Sequence, residues 1–271
     1  MDKGRKSSLN RWLNHLRFNM KLNPLYIIFF ALIIFSCKKE QQNLIKIEGK
    51  QIAITDSLAS NSEVETYVKP FREHVESDLD NIISYSLKTY TKNDGEFNTA
   101  IGNFMADAVY EQANPVFKSR TGYDIDMVIL NHGGIRSVLS KGNITTRTAY
   151  ELMPFENSIV VVALNGKNIY GLVEYLVEGK RAHPVSNFML KIDKDFNVVE
   201  TLINNQEIDT LKTYYVATND YLYSGGGNMT FFKPNDSLYD LNYKIRNALI
   251  DYFKKTDTIK PVIDSRFIQV K

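Results

Sequence analysis

The alternation of apolar and polar positions divides this chain into a set of short helices and strands. Val64, Val68, Phe71, Val75, Leu79 and Ile82 fall at helical spacing over Ser62–Ser84. Ser62 and Glu65, three residues apart, fit a capping box that opens this helix, and Pro70 inside it predicts a kink or a break. A strand over Ser84–Thr91 and a turn at Asn93-Asp94-Gly95 follow. Ile101, Phe104, Met105, Ala108 and Val109 lie at i, i+3, i+4, i+7 and i+8, which predicts a helix capped by Asn98 or Thr99.

Asp126–Leu130 is a short apolar strand, and Ser158–Leu164 (SIVVVAL) has the unbroken apolar run of a strand buried on both faces. Asn165-Gly166 turns the chain into a helix over Lys167–Val177. Asn187–Ile192 and Val198–Ile203 read as a hairpin, and Tyr214–Thr218 as a strand. Leu238, Leu241, Ile245, Ala248, Leu249, Tyr252 and Phe253 predict one C-terminal helix, and Arg266–Val270 a closing strand. Leu44–Ile54 alternates around Gly49-Lys50 and predicts a small hairpin. Helices and strands intermix without strict alternation, so the expected fold is α+β, with a mixed β-sheet layered with helices. No internal repeat or low-complexity tract interrupts it.

The start of the chain has a different character. Leu25–Phe35 is an unbroken apolar run of eleven residues, short of the roughly 20 a bilayer-spanning helix needs. It has the length of a signal-peptide core, preceded by basic residues. Ile34-Phe35-Ser36-Cys37 resembles a bacterial lipobox, in which a small residue precedes a cysteine that is cleaved and acylated. The resemblance implies lipidation at Cys37, the only cysteine, and a cell-envelope protein held on the periplasmic or surface face of a membrane. An uncleaved anchor with an incidental cysteine is the other reading. Met20 is a candidate start. The expected organisation is a signal segment over 1–36, a tether and hairpin over 37–61, and one domain over 62–271. Without residues 1–36, 27 Lys/Arg and 30 Asp/Glu remain of 33 and 31, so the net charge is −3. The basic balance thus belongs to the leader, and nucleic acid is not an expected partner.

Three loops, each read as following a strand and holding polar or glycine residues, carry the candidate chemistry. Asn131-His132-Gly133-Gly134-Ile135-Arg136 combines paired glycines with an arginine whose planar fork suits a phosphate or carboxylate. The same residues also describe a Gly-Gly turn with a surface arginine. Met153-Pro154-Phe155-Glu156-Asn157 places an aromatic where it could stack on a flat ring, or anchor a core. Asn219 to Asn228 carries Tyr221 and then Gly225, Gly226 and Gly227, either a second aromatic face or a mobile turn.

Taken together and in this order, NHGGIRS at 131–137, MPFEN at 153–157 and NDYLYSGGGNM at 219–229 resemble the C-terminal domain of the 5'-nucleotidase and UDP-sugar hydrolase family. IGNFMADA at 101–108 is similar to the family's G-N helix. The resemblance covers about residues 85–253. It implies that Phe155 and Tyr221 sandwich a nucleobase. It also implies that Asn131 and Arg136 contact base, ribose or phosphate, with Gly133, Gly134, Asn157, Gly225 and Gly226 shaping the site. His132 stands where the family has a glycine. Gly227 stands where it has the aspartate that binds ribose hydroxyls, and no arginine stands at Gly95 or Glu96.

Hydrolysis in this family uses two metal ions held by a separate N-terminal metallophosphatase domain. After Cys37 the chain has His74, His132 and His183, and none of the D-x-H, G-D-x-x-D, N-H-E or G-H-x-H elements of such a domain. No G-x-S-x-G elbow or P-loop stands in for them. The expectation is a nucleotide- or nucleoside-binding half without catalytic residues or cofactor of its own. Divalent metals would then belong to a separately encoded metallophosphatase partner. A nucleoside-capturing lipoprotein and a degenerate structural domain are the alternatives.

Overall fold

The computed structural model describes residues 44–55 and 58–270. The signal segment, Cys37 and the first residues of the tether lie outside these. Residues 44–55 contain no strand, so the hairpin expected over Leu44–Ile54 is not formed. Leu44, Ile45, Ile47, Ile52 and Ile54 are all exposed, and an isolated two-stranded hairpin is marginal without a surface to cover it. Among the described residues no helix is long and apolar enough to cross a membrane.

Ser60–Lys271 forms one compact unit. It opens with α1 (Ser62–Leu79), none of whose residues is buried. Asn61, not Ser62, is its cap, accepting from the amides of Glu63 and Val64. The helix runs through Pro70 and ends at Leu79, before β1 (Ile82–Ser86). One lost amide bond does not end a helix whose first turn is doubly capped. The core helix α2 (Ala100–Thr121) is capped by Thr99 and stopped by Gly122 in the left-handed region.

The remaining elements are β2 (Met127–Ile129), β3 (Gly142–Thr145), α3 (Thr146–Leu152), β4 (Ser158–Asn165), α4 (Gly166–Gly179), β5 (Val185–Ser186), β6 (Phe188–Ile192), β7 (Val198–Ile203) and β8 (Gln206–Glu207). They continue through β9 (Thr213–Asn219), a helical turn α5 (Asp220–Tyr223), β10 (Ser237–Lys244), α6 (Ile245–Lys255), β11 (Thr258–Ile259) and β12 (Phe267–Gln269). The expected C-terminal helix is therefore split. Leu238 and Leu241 lie in β10, pairing antiparallel with β4, and the helix starts only at Ile245. Ser237–Lys244 also alternates with period two, and pairing with β4 decided between the readings.

The strands form three sheets, β11-β1-β3, β10-β4-β9-β2-β5 and β12-β6-β7-β8. The five-stranded mixed sheet is the centre of the α+β fold. Along β4, Ile159 and Val161 enter a core shared with α2, α3 and α6. Val160, Val162 and Leu164 enter a second core with α4, β6 and β7. Burial on both faces accounts for the unbroken apolar run of this strand.

The IGNFMADA stretch anchors the C-terminal segment. The Asn103 side-chain amide donates to Asn98 Oδ1 (2.8 Å) and to the Val262 carbonyl (3.0 Å). Asp107 accepts from Arg266 (2.9 and 3.1 Å), which also donates to Asp264.

Candidate functional site

Strand register brings the three loops to one end of the central sheet. β2 runs parallel to β9, with Val128 beside Ala217, so the register continues to place Leu130 beside Asn219. β4 runs antiparallel to β9, with Ile159 beside Asn219. The chain thus leaves β2 into residues 131–136 and enters β4 from residues 153–157. It leaves β9 into residues 220–228, and all three crossings lie at the same level of three adjacent strands. Neighbouring strands lie about 4.8 Å apart, so the three crossings span about 10 Å. β5 pairs antiparallel with β2, Ile129 beside Val185, and delivers residues 181–184 to the same end.

In the first loop, His132–Gly134 forms a 3-10 turn closed by the Gly134 amide on the Asn131 carbonyl (2.9 Å). The Asn131 side chain folds over both glycines. A Cβ at Gly134 would lie 3.0 Å from Asn131 Oδ1, and one at Gly133 3.3 Å from Asn131 Nδ2. The glycines make room for Asn131, and Gly134 is buried beneath it. Arg136 is exposed, and its guanidinium carbon lies 5.8 Å from the Phe155 ring centroid. Its backbone amide donates to Leu152 (3.0 Å), tying the first loop to the second.

Phe155 is 41% exposed and Tyr221 51%, so neither ring points into the core. Tyr221 rests on the third loop's glycines: a Cβ at Gly226 would lie 2.5 Å from the ring. Gly225 and Gly227 hold φ values of 96° and 64° that other residues rarely adopt. The loop is ordered further by the Tyr175 hydroxyl, which donates to the Gly227 carbonyl at 2.8 Å. At the end of β9, the buried Asn219 caps the Tyr221 turn by accepting from Leu222 (2.8 Å), which leaves its Nδ2 without a partner. Asn157 is half-buried, and its carbonyl accepts from Ile245 (3.1 Å).

A cleft of about 640 Å³ lies beside these loops, lined by Asn131, His132, Gly133, Tyr175, Glu178, Gly179, Arg181, His183, Gly227 and Asn228. Sequence reasoning missed Tyr175, Arg181 and His183. Only the pairing of β5 with β2 brings the last two here, and Tyr175 sits among core positions of α4. Of the residues expected in the site, Asn131, His132 and Gly133 line the cleft. Gly134, Arg136, Phe155, Asn157, Tyr221, Gly225 and Gly226 belong to the loops around it.

His183 is buried, its Nδ1 within 3.3 Å of the Leu130 carbonyl and 3.4 Å of the His132 amide. Burial pushes its pKa down to about 4. It is therefore neutral at pH 7, and its one proton decides which of the two contacts forms. His132 places Nδ1 3.2 Å from the Ala182 carbonyl. Its pKa is lowered, by burial first, with Lys92 and Arg181 adding positive charge nearby. Among the described residues Arg181 pairs with no carboxylate, and no group of three or more His, Cys, Asp or Glu is placed to hold a metal ion.

Fold and loops together define an α+β domain whose glycine and aromatic loops converge on one sheet end. Residues 78–234, more than half of the chain, match the family described as 5'-nucleotidase, C-terminal domain, and the chain belongs to it. An apyrase from Tabanus yao is 27% identical over 245 residues, covering 81% of this chain and 44% of the relative. The trifunctional nucleotide phosphoesterase protein YfkN of Bacillus subtilis (strain 168) is 26% identical over 237 residues, covering 81% of this chain and 16% of the relative. Among solved structures, a 5'-nucleotidase precursor from Thermus thermophilus superposes with a TM-score of 0.62. It is 22% identical, with 76% of this chain and 42% of that chain covered. The last comparison speaks to fold alone. The chain spans less than half the length of these relatives.

Proposed function

We propose that this domain is the nucleotide- or nucleoside-binding half of a split 5'-nucleotidase, with metals and the attacking water supplied by a metallophosphatase on a separate chain. The observation that carries this reading is the convergence of three loops at one sheet end, the Asn131–Arg136 loop and the two that carry the exposed rings of Phe155 and Tyr221. Stacking of a base on an aromatic ring is worth about 1–3 kcal/mol, and it needs rings that face outward. Arg181, which makes no ion pair among the described residues and shares the cleft with Glu178, offers a guanidinium to an anionic group of the ligand.

Both cleft imidazoles are engaged with backbone groups, His132 with Ala182 and His183 with Leu130 or His132. The lipid anchor on Cys37 belongs to the same proposal. It would hold this chain on the membrane face where a partner is also held, and shared anchoring raises effective concentration.

Co-purification with a metallophosphatase, and AMP hydrolysis by the mixture but by neither component, is the expected result. Hydrolysis of AMP by this chain alone with Mn²⁺ or Zn²⁺ contradicts it. A nucleoside-capturing role is the second reading, favoured by the same outward rings. It predicts tight nucleoside binding with no partner present, and no AMP hydrolysis when a metallophosphatase is added.

A further inference from the structure

The second loop carries no glycine, and Pro154, Phe155 and Glu156 are all exposed, so the position of the Phe155 ring has to be set from elsewhere. Three consecutive residues at the junction of β10 and α6 supply the support. Lys244 Nζ donates to the Glu156 carbonyl (2.7 Å) and to Ser158 Oγ (2.9 Å). The Ile245 amide donates to the Asn157 carbonyl (3.1 Å). Arg246 Nη2 donates to the Glu156 carboxylate.

Arg246 is an unusual donor for such a bond. Its side chain is 7% exposed, and its Nε is buried with no partner. Its guanidinium carbon lies 4.1 Å from the ring centroid of Tyr150, on α3 just ahead of the loop. A buried guanidinium with one carboxylate and one aromatic face gains little for stability over an apolar residue of the same shape. Together with the bonds from Lys244 and Ile245, it does hold one thing, the residues that directly follow Phe155.

We infer that Arg246, acting through Glu156 and seconded by Lys244, is a positioning residue that presents the Phe155 ring to the ligand. The inference rests on the proposed role of Phe155 in binding. Fixing the loop before binding removes the entropy cost of ordering it when the ligand arrives. Affinity therefore depends on a residue 90 positions away in sequence from its partner, one that lines neither the cleft nor the glycine loops.

The test uses the full chain with Trp12→Phe and Phe155→Trp, which makes the loop residue the sole tryptophan. Fluorescence anisotropy of that tryptophan is measured without ligand. Glu156→Gln, and separately Lys244→Ala, are expected to lower the anisotropy while leaving the circular dichroism spectrum unchanged. Unaltered anisotropy in both variants overturns the inference, whatever the protein binds.

A second arm measures AMP affinity by calorimetry in the Phe155 and Phe155→Ala backgrounds. Glu156→Gln should weaken AMP about 10-fold in the first and not at all in the second. An equal loss in both backgrounds shows that Glu156 acts without the ring and also overturns the inference. Absence of AMP binding by the unmodified chain would count against the binding role itself, and the anisotropy arm would still decide the positioning.

Discussion

The two loops that carry the outward rings are built by opposite means. Phe155 is braced at long range, by Lys244, Ile245 and Arg246 acting on the residues beside it. Tyr221 is braced locally, its ring lying on Gly226, in a turn whose flanking glycines adopt positive φ. The glycines look like a source of mobility in the sequence, yet they are what lets the ring settle onto its own loop. The loop without glycines is the one that needs outside support.

The largest expected effect concerns the cleft beside the loops, at the buried His183. His183 binds a proton at about pH 4 in the folded state against an ordinary 6.5. Between these values the unfolded chain binds more protons, so stability falls as pH falls from 6.5 towards 4. The full difference is about 3 kcal/mol. Urea unfolding across this range should show that loss, and His183→Gln should flatten it. A slope unchanged in the variant would place the titration elsewhere.

The next effect separates the loops. Gly226→Val puts a side chain where the Tyr221 ring rests and should displace the ring towards solvent. An AMP affinity loss of about 1–3 kcal/mol, the worth of one stacking face, is expected with little change in melting temperature. A Tyr221→Ala comparison should give the same loss. Full affinity in Gly226→Val would mean that the local brace has no role in binding.

A smaller effect tests the link from α4 to the glycine loop. Tyr175→Phe removes the bond to the Gly227 carbonyl and should cost about 1 kcal/mol in stability. Hydrogen exchange should rise over residues 225–228 and not over 154–157. A rise in both would show that the loops are not independently braced.

The smallest effect falls on the Phe155 loop alone. Arg246 holds the Glu156 carboxyl below its ordinary 4.5, by a hydrogen bond first and by charge second. The group's contribution is thus complete above pH 4.5 and fades as pH falls through the lowered value. Below pH 4.5, mobility measured at Phe155 should increase before any change at Tyr221.

Much of this arrangement was legible in the residues. The apolar run of β4, the Thr99-capped helix and the hairpin of β6 and β7 follow from local pattern, and local pattern was sufficient because each element is long or strongly periodic. The three loops were legible because Gly-Gly, Pro-Phe and Gly-Gly-Gly stand next to those elements. Leu238 and Leu241 misled because a period-two strand running into a helix preserves helical spacing by accident. Arg181 and His183 were invisible for another reason. Their place depends on a two-residue strand, Val185-Ser186, pairing with β2, and no pattern of that length is distinctive. Arg246 carried no signal at all, since its partner Glu156 lies 90 residues away.

Titrating AMP into isotopically labelled protein and following amide shifts by nuclear magnetic resonance tests the shared ligand face most directly. Shifts are expected to concentrate on residues 131–136, 154–157 and 219–228 together. Shifts confined to one of these loops, or found only on the far side of the central sheet, would contradict a single face built from three strand ends.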